Sequence, residues 1–396
     1  LYRTVGTIKY IVASFLYKKY RYCMRIKFFI WIWLMLNIVA CTRSDKHIEA
    51  IIDDTSEMVI KGKNTMSSFI EVKNVISLET SDECLLGEIE KIIKREGNIF
   101  VKSKSRPLTM FDKNGKYLNT IGRIGSGPEE YTLIADFDVD GDTIYILTVD
   151  QIQVYSKKGD WIRSIPLSLN ASGLRITANN MLLFVLGDKH IVHVFDKDGN
   201  EKKSVLERNQ ALRLNRAISF VQYGEKLLFP MGRSNELLVY TPSDDEFGRM
   251  NYLASNRLTD EKEEMLMKEN PQYKREMLRS GCFDGLMTSP THVIFPYVKE
   301  DNPMLWIKDM RNSQCIAYIL SSLENDVTFG STANFFYGNV EDDCGFMTYI
   351  LPYLLKEHMA GVHNSQSPYF EKMKTIAEQT DKEANPILIE YVVREE

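Results

Sequence analysis

The sequence predicts an all-β fold, a six-bladed β-propeller with short helical insertions, and three observations support that prediction. Short apolar or alternating runs, rich in β-branched and aromatic residues, recur from residue 69 onwards and end at turn-forming residues. One turn motif repeats at nearly constant spacing, and the strand-rich part starts and ends on strand-like segments without hairpin partners. The 396 residues are 44% hydrophobic and 26% charged, which is typical of a globular chain.

The repeated motif is an aromatic strand end, a polar turn and a glycine that can take a positive φ angle. It reads FDKNG at 111–115, YSKKG at 155–159 and FDKDG at 195–199, and YTPSD at 240–244 continues the series without the glycine. A period of 40–45 residues with several short strands matches one four-stranded propeller blade. A sandwich of ordinary hairpins is the alternative, but sandwiches rarely repeat one turn at constant spacing.

Five blades and a composite sixth one are predicted. The five are placed near residues 89–122, 135–167, 174–207, 218–254 and 284–320. The sixth is expected to pair the N-terminal segment Ile70 to Leu78 with the C-terminal strand that follows Pro386. Such pairing would close the ring and remove two exposed strand edges.

Helical insertions are predicted at two places. Thr259 can cap a helix with an acidic first turn, and a second segment follows Pro271. Ser367-Pro368 is typical of an N-cap followed by a first-turn proline. Apolar residues then recur at helical spacing and are expected to face the core rather than a partner: Phe370, Met373, Ile376 and Ala377.

The N-terminal region predicts export and a lipid anchor. Basic residues in Met24-Arg25-Ile26-Lys27 precede a nine-residue apolar run at 28–36, which is too short to span a bilayer because a spanning helix needs about 20 residues. The tetrad Ile38-Val39-Ala40-Cys41 resembles a lipobox, so Cys41 is the predicted lipidation site. An ordinary secretory signal with a chance cysteine is the alternative.

These features divide the chain into four predicted parts. They are an over-extended gene start at 1–23, a lipoprotein signal peptide at 24–40, a tether at 41–68 and the propeller at 69–396. Residues 42–46 lack an acidic run that resembles a surface-export signal, so we expect a periplasm-facing protein of the cell envelope, held to the membrane by its N-terminal lipid.

Charge argues against a nucleic-acid partner. Residues 1–40 hold seven basic residues and no acidic one, which leaves 42 basic against 54 acidic residues in 41–396. Phosphate contacts need clustered lysine and arginine, and the mature chain has no basic run.

The segment IGRIGSGPEEY at 121–131 is the most distinctive one. It lacks the Lys-Ser/Thr pair of a P-loop, and Pro128 stands where a helix should open, so a tight turn between blades is the better interpretation. Four residues are then expected at a face or rim as candidate ligand-facing residues: Arg123, Glu129, Glu130 and Tyr131.

No metal, cofactor or catalytic motif is predicted. None of the six histidines forms an HExxH pattern, His190 and His193 should face opposite sides of a strand, and no GxSxG elbow occurs. Alternating aspartates at 136, 138, 140 and 142 are expected in a solvated turn, with a calcium loop as the alternative. Four cysteines lie too far apart for a CxxC motif and are interpreted as buried thiols, with disulfides left open: Cys84, Cys282, Cys315 and Cys344.

Several segments together carry a resemblance to a known family. ISLETSDECLLGEIEKII from Ile76, FDKNGK, IGRIGSGPEEY and the closing NPILIEYVV resemble the bacterial six-bladed β-propeller lipoproteins of NHL-like or TolB-like type, over residues 69–396. The family pattern usually has GPGEY, whereas Glu129 stands here at the second glycine. The resemblance implies an anchored envelope propeller and no particular reaction.

Three kinds of function remain open from the sequence. The first is a non-catalytic module that presents a propeller face to a glycan, peptide or protein. The second is a metal-dependent propeller enzyme, lactonase-like or lyase-like, with its site at the central channel where polar groups converge. A purely structural scaffold is a third possibility.

Overall fold

The computed structural model describes residues 49–53, 59–185, 188–207, 220–230, 235–254, 281–282, 285–299, 301–336, 340–342 and 345–394. All of them belong to one unit, Glu49–Glu396. The predicted gene start, the signal peptide and Cys41 lie outside the described residues, as do the helices expected from Thr259 and after Pro271.

Four strands precede the first complete blade and serve as edge and closing strands. They are β1 (Glu49–Ile52), β2 (Val59–Lys61), β3 (Asn64–Thr65) and β4 (Ile70–Ser77), with a short 3₁₀ helix at Met66–Ser68.

Blades 1 to 3 each contain four consecutive antiparallel strands joined by hairpins, and β27 (Val340–Asp342) adds to the inner edge of blade 1. Blade 1 contains β5 (Ile89–Arg95), β6 (Asn98–Ser103), β7 (Leu108–Phe111) and β8 (Tyr117–Ile121). Blade 2 contains β9 (Asp136–Asp140), β10 (Thr143–Leu147), β11 (Gln151–Ser156) and β12 (Trp161–Pro166). Blade 3 contains β13 (Gly173–Ile176), β14 (Asn180–Phe184), β15 (His190–Asp196) and β16 (Glu201–Glu207).

Blades 4 and 5 follow the same plan, with interrupted innermost strands in blade 5. Blade 4 contains β17 (Val221–Tyr223), β18 (Lys226–Pro230), β19 (Glu236–Thr241) and β20 (Glu246–Leu253). Blade 5 contains β21 (Gly281–Cys282), β22 (Met287–Thr288), β23 (His292–Lys299), β24 (Asn302–Asp309) and β25 (Cys315–Ile319). The next elements are a 3₁₀ helix at Leu320–Ser322, β26 (Leu323–Glu324), α1 (Thr332–Phe335) and β27 (Val340–Asp342).

Blade 6 closes the ring as predicted. It contains β28 (Phe346–Ile350) and β29 (Ile387–Val393), and β29 pairs antiparallel with both β28 and the N-terminal β4. Two helices are inserted between β28 and β29, α2 (Pro352–Ala360) and α3 (Phe370–Gln379). The predicted propeller with six blades and short helical insertions is therefore confirmed.

The core is divided among the interfaces between blades. Six clusters of buried apolar side chains each fill the gap between two neighbouring blades, and the cluster that joins blades 6 and 1 completes the circle. The innermost strands lie side by side around the central axis, with β5 next to β9, β9 next to β13 and β17 next to β22.

The repeated turn glycines are explained by contacts between blades. Gly115, Gly159 and Gly199 have φ angles of 85°, 90° and 91° in the turns that join the third and fourth strands of blades 1 to 3. A Cβ on Gly115 would lie 2.5 Å from the carbonyl oxygen of Ser77, and one on Gly159 would lie 2.8 Å from that of Thr120. Each turn therefore packs so closely on the outer strand of the preceding blade that only glycine fits there, which explains why glycine repeats with the blades.

The N-terminal segment differs from the predicted tether. β1 pairs in parallel with β20 at the outer edge of blade 4, and β2 pairs in parallel with β25 at the outer edge of blade 5. β3 pairs with β26. Ile51 and Ile52 are buried between these blades. These two apolar residues and the free strand edges of the blades explain why a stretch with a mostly polar sequence forms strands.

The described helices cover the junction of blades 5 and 6. Phe370, Met373 and Ala377 of α3 are buried, as the helical spacing predicts, but the helix begins at Phe370 rather than at Pro368. The Ser367 hydroxyl instead donates to the carbonyl oxygen of Asp326 and accepts from the Tyr369 N–H, which forms a turn before the helix. No helix among these described segments is long and apolar enough to cross a membrane.

Candidate functional site

The segment at 121–131 connects blades 1 and 2 and is mainly structural. Tyr131 was expected at a face or rim, but this prediction is wrong because its side chain is buried between the two blades. Its hydroxyl donates to the carbonyl oxygen of Ile121 at 2.6 Å and accepts from the N–H of Leu108 at 3.1 Å. Burial raises the pKa of the Tyr131 phenol above its usual value.

The other three predicted residues lie around the same turn. The Glu130 carboxylate accepts from the Gly127 N–H at 2.9 Å and lies 3.4 Å from the Arg123 guanidinium. Arg123 and Glu129 are exposed. The Glu129 carbonyl oxygen accepts from the Tyr155 hydroxyl, so backbone contacts hold the turn against blade 2. A ligand-facing role for Arg123, Glu129 and Glu130 stays a prediction.

The alternating aspartates occupy a different environment from the expected solvated turn. Asp136 and Asp138 lie on β9, the innermost strand of blade 2, and both are buried, whereas Asp140 is exposed. Asp136 accepts from the Leu174 N–H at 2.8 Å, and Asp138 accepts from the Ile176 N–H at 2.7 Å. The two carboxylates thus bind the backbone of the neighbouring blade, which a single-strand pattern cannot reveal.

Six charged side chains converge at the central axis and form what we call the channel network. They are Lys91, Arg95, Asp136, Asp138, Arg175 and Glu341. They come from the innermost strands of blades 1, 2 and 3 and from β27, which pairs in parallel with β5.

Distances within the channel network are short. Lys91 Nζ lies 2.9 Å from Asp136 Oδ1, and Arg95 Nη1 lies 3.0 Å from Asp138 Oδ1. Glu341 Oε2 accepts from Arg175 Nη1 at 2.6 Å and from Arg95 Nη2 at 3.3 Å. Glu341 Oε1 lies 3.8 Å from Lys91 Nζ.

Neighbouring opposite charges favour the charged forms of Glu341 and Lys91. Burial alone would raise the pKa of Glu341, but the charges of Arg175, Lys91 and Arg95 lower it to about 2. Burial would likewise lower the pKa of Lys91, yet the neighbouring carboxylates, Asp136 first among them, raise it above its usual value. Opposite charges at this distance outweigh desolvation.

A cavity of about 660 Å³ lies beside the channel network at the carboxyl ends of the innermost strands. Its charged lining residues are Arg95, Arg175 and Glu341. Most of the remaining lining is aliphatic, including Val221, Leu227, Leu286, Met287 and Met347, with Phe346 as an aromatic member. This volume is within the range of about 300–1,000 Å³ that is typical of small-molecule sites.

Among the residues that the structure describes, no group of three histidine, cysteine, aspartate or glutamate side chains is placed to hold a metal ion. Cys84 is a buried free thiol whose sulfur bonds the Glu79 carbonyl oxygen. His190 and His193 do not face opposite ways, because their rings meet edge to face with centroids 6.5 Å apart.

One solved structure shares the fold, and others are similar to this chain over part of its length. A Bacteroides fragilis protein named "Putative exported protein" matches 85% of this chain and 99% of its own, with a TM-score of 0.66 and 15% identity. The Neurospora crassa Pan2 WD40 domain covers 67% of this chain and 75% of its own, with a TM-score of 0.38 and 10% identity. The extracellular domain of a Bacteroides thetaiotaomicron one-component system covers 62% and 29%, with a TM-score of 0.37 and 12% identity.

A comparison with curated proteins finds no match. A family described as "Domain of unknown function (DUF4934)" matches residues 51–391, which include nearly all described strands. The chain belongs to this family.

Proposed function

We propose that this chain is a lipid-anchored protein of the cell envelope, and that its propeller binds a ligand in the central cavity without chemical turnover. The observation that carries the proposal is the cavity of about 660 Å³, whose wall is held by ion pairs between blades. A site built on rigid strands is pre-organised, which lowers the entropic cost of binding. The repeated turn motif supports a place among NHL-like or TolB-like propellers.

The hydrogen bonds and ion pairs of the buried carboxylates favour a binding function over metal-dependent catalysis. Both oxygens of Asp138 accept hydrogen bonds from backbone N–H groups, of Val139 and Ile176, and Arg95 pairs with the first oxygen. Asp136 is engaged in the same way by Leu174 and Lys91. These carboxylates would have to abandon structural bonds between blades to coordinate a metal ion.

The cavity as a binding site is tested by occlusion. Ala178 is exposed in the turn after β13 and lines the cavity, whereas its neighbour Asn179 is exposed and is not among the lining residues. Ala178→Trp should therefore abolish retention of a small molecule that native mass spectrometry detects on the protein purified from its envelope. Asn179→Trp is the matched control and should retain it. Equal retention by both variants would refute the cavity as the site.

The absence of turnover is tested separately. Elemental analysis of the purified protein would be run beside a panel of lactone, ester and glycoside substrates. Stoichiometric calcium or zinc, with turnover abolished by a chelator, would replace the binding module with a metal-dependent enzyme.

The envelope location is supported by the basic and apolar segment that precedes Cys41 and by the exported-protein name of the structurally similar chain. Cys41→Ser should remove labelling with a fatty-acid probe and release the protein from the membrane fraction. Thr42→Ser, which keeps the lipobox cysteine and changes only the residue after it, should leave both unchanged. Labelling that survives Cys41→Ser would exclude lipidation at this residue.

A further inference from the structure

The hydroxyl side chains on the cavity wall already bond to backbone groups of the protein. Thr177 Oγ1 donates to the carbonyl oxygen of Asn180 at 3.0 Å, and Thr288 Oγ1 donates to that of Gln222. Ser289 Oγ accepts from the His292 N–H at 3.0 Å. These groups have little capacity left to orient a ligand.

Arg175 has donors on this wall that no described residue accepts from. Its side chain is 8% exposed, and it lines the cavity. A guanidinium has five N–H donors, but only Arg175 Nη1 has a hydrogen-bond acceptor among the residues that the structure describes, which is Glu341. Arg175 Nε is 3.8 Å from Asp138, which is too far for a hydrogen bond. Arg175 therefore keeps hydrogen-bond donors beside the cavity that a ligand oxygen can satisfy.

The net charge of the surroundings restricts what that oxygen can belong to. The channel network contains three cations and three carboxylates, so it is balanced before any ligand enters. A charged ligand would add a charge without a counterpart in a partly desolvated site, which is costly. A neutral carbonyl oxygen would take the free Arg175 donors without disturbing that balance.

The rest of the wall indicates the body of the ligand. Its apolar lining is mainly aliphatic, with two methionines and one phenylalanine. Such a wall suits branched alkyl groups, whereas sugars stack on flat aromatic side chains. We infer that the cavity binds a neutral ligand with an aliphatic body, whose amide carbonyl oxygen accepts hydrogen bonds from Arg175, as in a capped apolar peptide. This inference rests on the proposed function and specifies the ligand class of the same cavity.

Three related dipeptide probes test the inference by calorimetry at pH 6.5. They are N-acetyl-Leu-Leu-amide, which is neutral, N-acetyl-Leu-Leu with a free carboxylate, and Leu-Leu-amide with a free ammonium group. We expect the neutral probe to bind at least about tenfold more tightly than either charged probe, because each charged probe would bring an uncompensated charge into a partly desolvated site.

Two variants connect that preference to the site. Arg175→Lys keeps the positive charge beside Glu341 but loses the planar set of donors, so affinity for the neutral probe should fall at least about tenfold. Arg163→Lys, on the outer strand β12, is the matched control and should bind as the parent does. Ala178→Trp, which adds bulk at an exposed turn, should abolish binding and serves if Arg175→Lys does not fold.

Each outcome decides between the two proposals. Tighter binding of a charged probe, or unchanged affinity in Arg175→Lys, would overturn the neutral-ligand inference while the cavity remains the binding site. If none of the probes binds but Ala178→Trp still removes the molecule seen by native mass spectrometry, the ligand class is wrong and the proposed function stands. If no molecule is lost in Ala178→Trp, the proposed function itself fails.

Discussion

Asp138 joins the innermost strands of three blades, and Asp138→Asn should destabilise the protein by about 3–5 kcal/mol. Its side chain is fully buried on β9. One oxygen pairs with Arg95 on β5, and the other accepts from the Ile176 N–H on β13. An asparagine has the same shape but no charge and only one accepting oxygen.

The magnitude follows from what the substitution leaves behind. Arg95 would lose its 3.0 Å partner, and Arg175 would lose a second carboxylate at 3.8 Å. A hydrogen bond to a charged group contributes about 1.5–3 kcal/mol, and removal of one partner of a buried pair costs about 3–5 kcal/mol. The expected loss is therefore a large part of the total stability of about 5–15 kcal/mol that is usual for folded domains.

Asp140→Asn is the matched control for this measurement. Asp140 lies two residues further along β9, is half exposed and pairs with Lys197 at 3.1 Å, so its loss should cost about 0–1 kcal/mol. Urea unfolding followed by tryptophan fluorescence would compare the two variants with the parent protein. Stability of Asp138→Asn within about 1 kcal/mol of Asp140→Asn would refute the structural role assigned to the channel network.

Three further predictions concern the turns, the closure and acid. Gly159→Ala should cost about 1–3 kcal/mol of stability, because Gly159 has a φ of 90° and lies close to Thr120, whereas Gly248→Ala, with open space around it, should not destabilise the protein. Melting curves compare the two variants, and equal melting temperatures would contradict the packing argument. Deletion of residues 386–396 removes the middle strand of blade 6 and should abolish soluble, cooperatively folded protein; an unchanged melting temperature would contradict the closure. The Glu341 pKa is lowered from 4.5 to about 2 in the folded state, so the stability that this carboxylate contributes is present above pH 4.5 and is lost as the pH falls towards 2. The urea midpoint of Glu341→Gln should therefore change less over this pH range than the midpoint of the parent protein. Parallel changes in the two midpoints would exclude this linkage.

The propeller could be predicted from the sequence because its defining features are local. In blades 1 to 3, the glycine of the turn between the third and fourth strands indicates a backbone angle that few other residues adopt. The spacing of these glycines indicates the length of one blade. Asp245 takes the left-handed position in blade 4 with φ of 53°, which explains how the series continues at 240–244 without a glycine. Closure was also predictable, since an apolar strand at each end of the chain has no local partner.

The environment of single residues could not be predicted in the same way. Tyr131 follows polar residues, and its sequence neighbours suggest a rim, yet two blades enclose it. Ile51 and Ile52 stand in a polar stretch, but the free edge of blade 4 gives them a sheet to join. In each case the partner that decides burial lies elsewhere in the chain, and local pattern carries no information about it.

The repeat, the number of blades, the closing strands and the helix at 370–379 were predictable, because short-range patterns of glycine and apolar residues encode them. The charged network of Lys91, Asp138, Arg175 and Glu341 beside a cavity became visible only in the folded arrangement. These residues are separated by as many as 250 positions, and a charge in a sequence looks the same whether it is solvated or buried. They meet because the blades place their innermost strands around one axis. An unpaired charge buried near that axis would be costly, so these charges are paired.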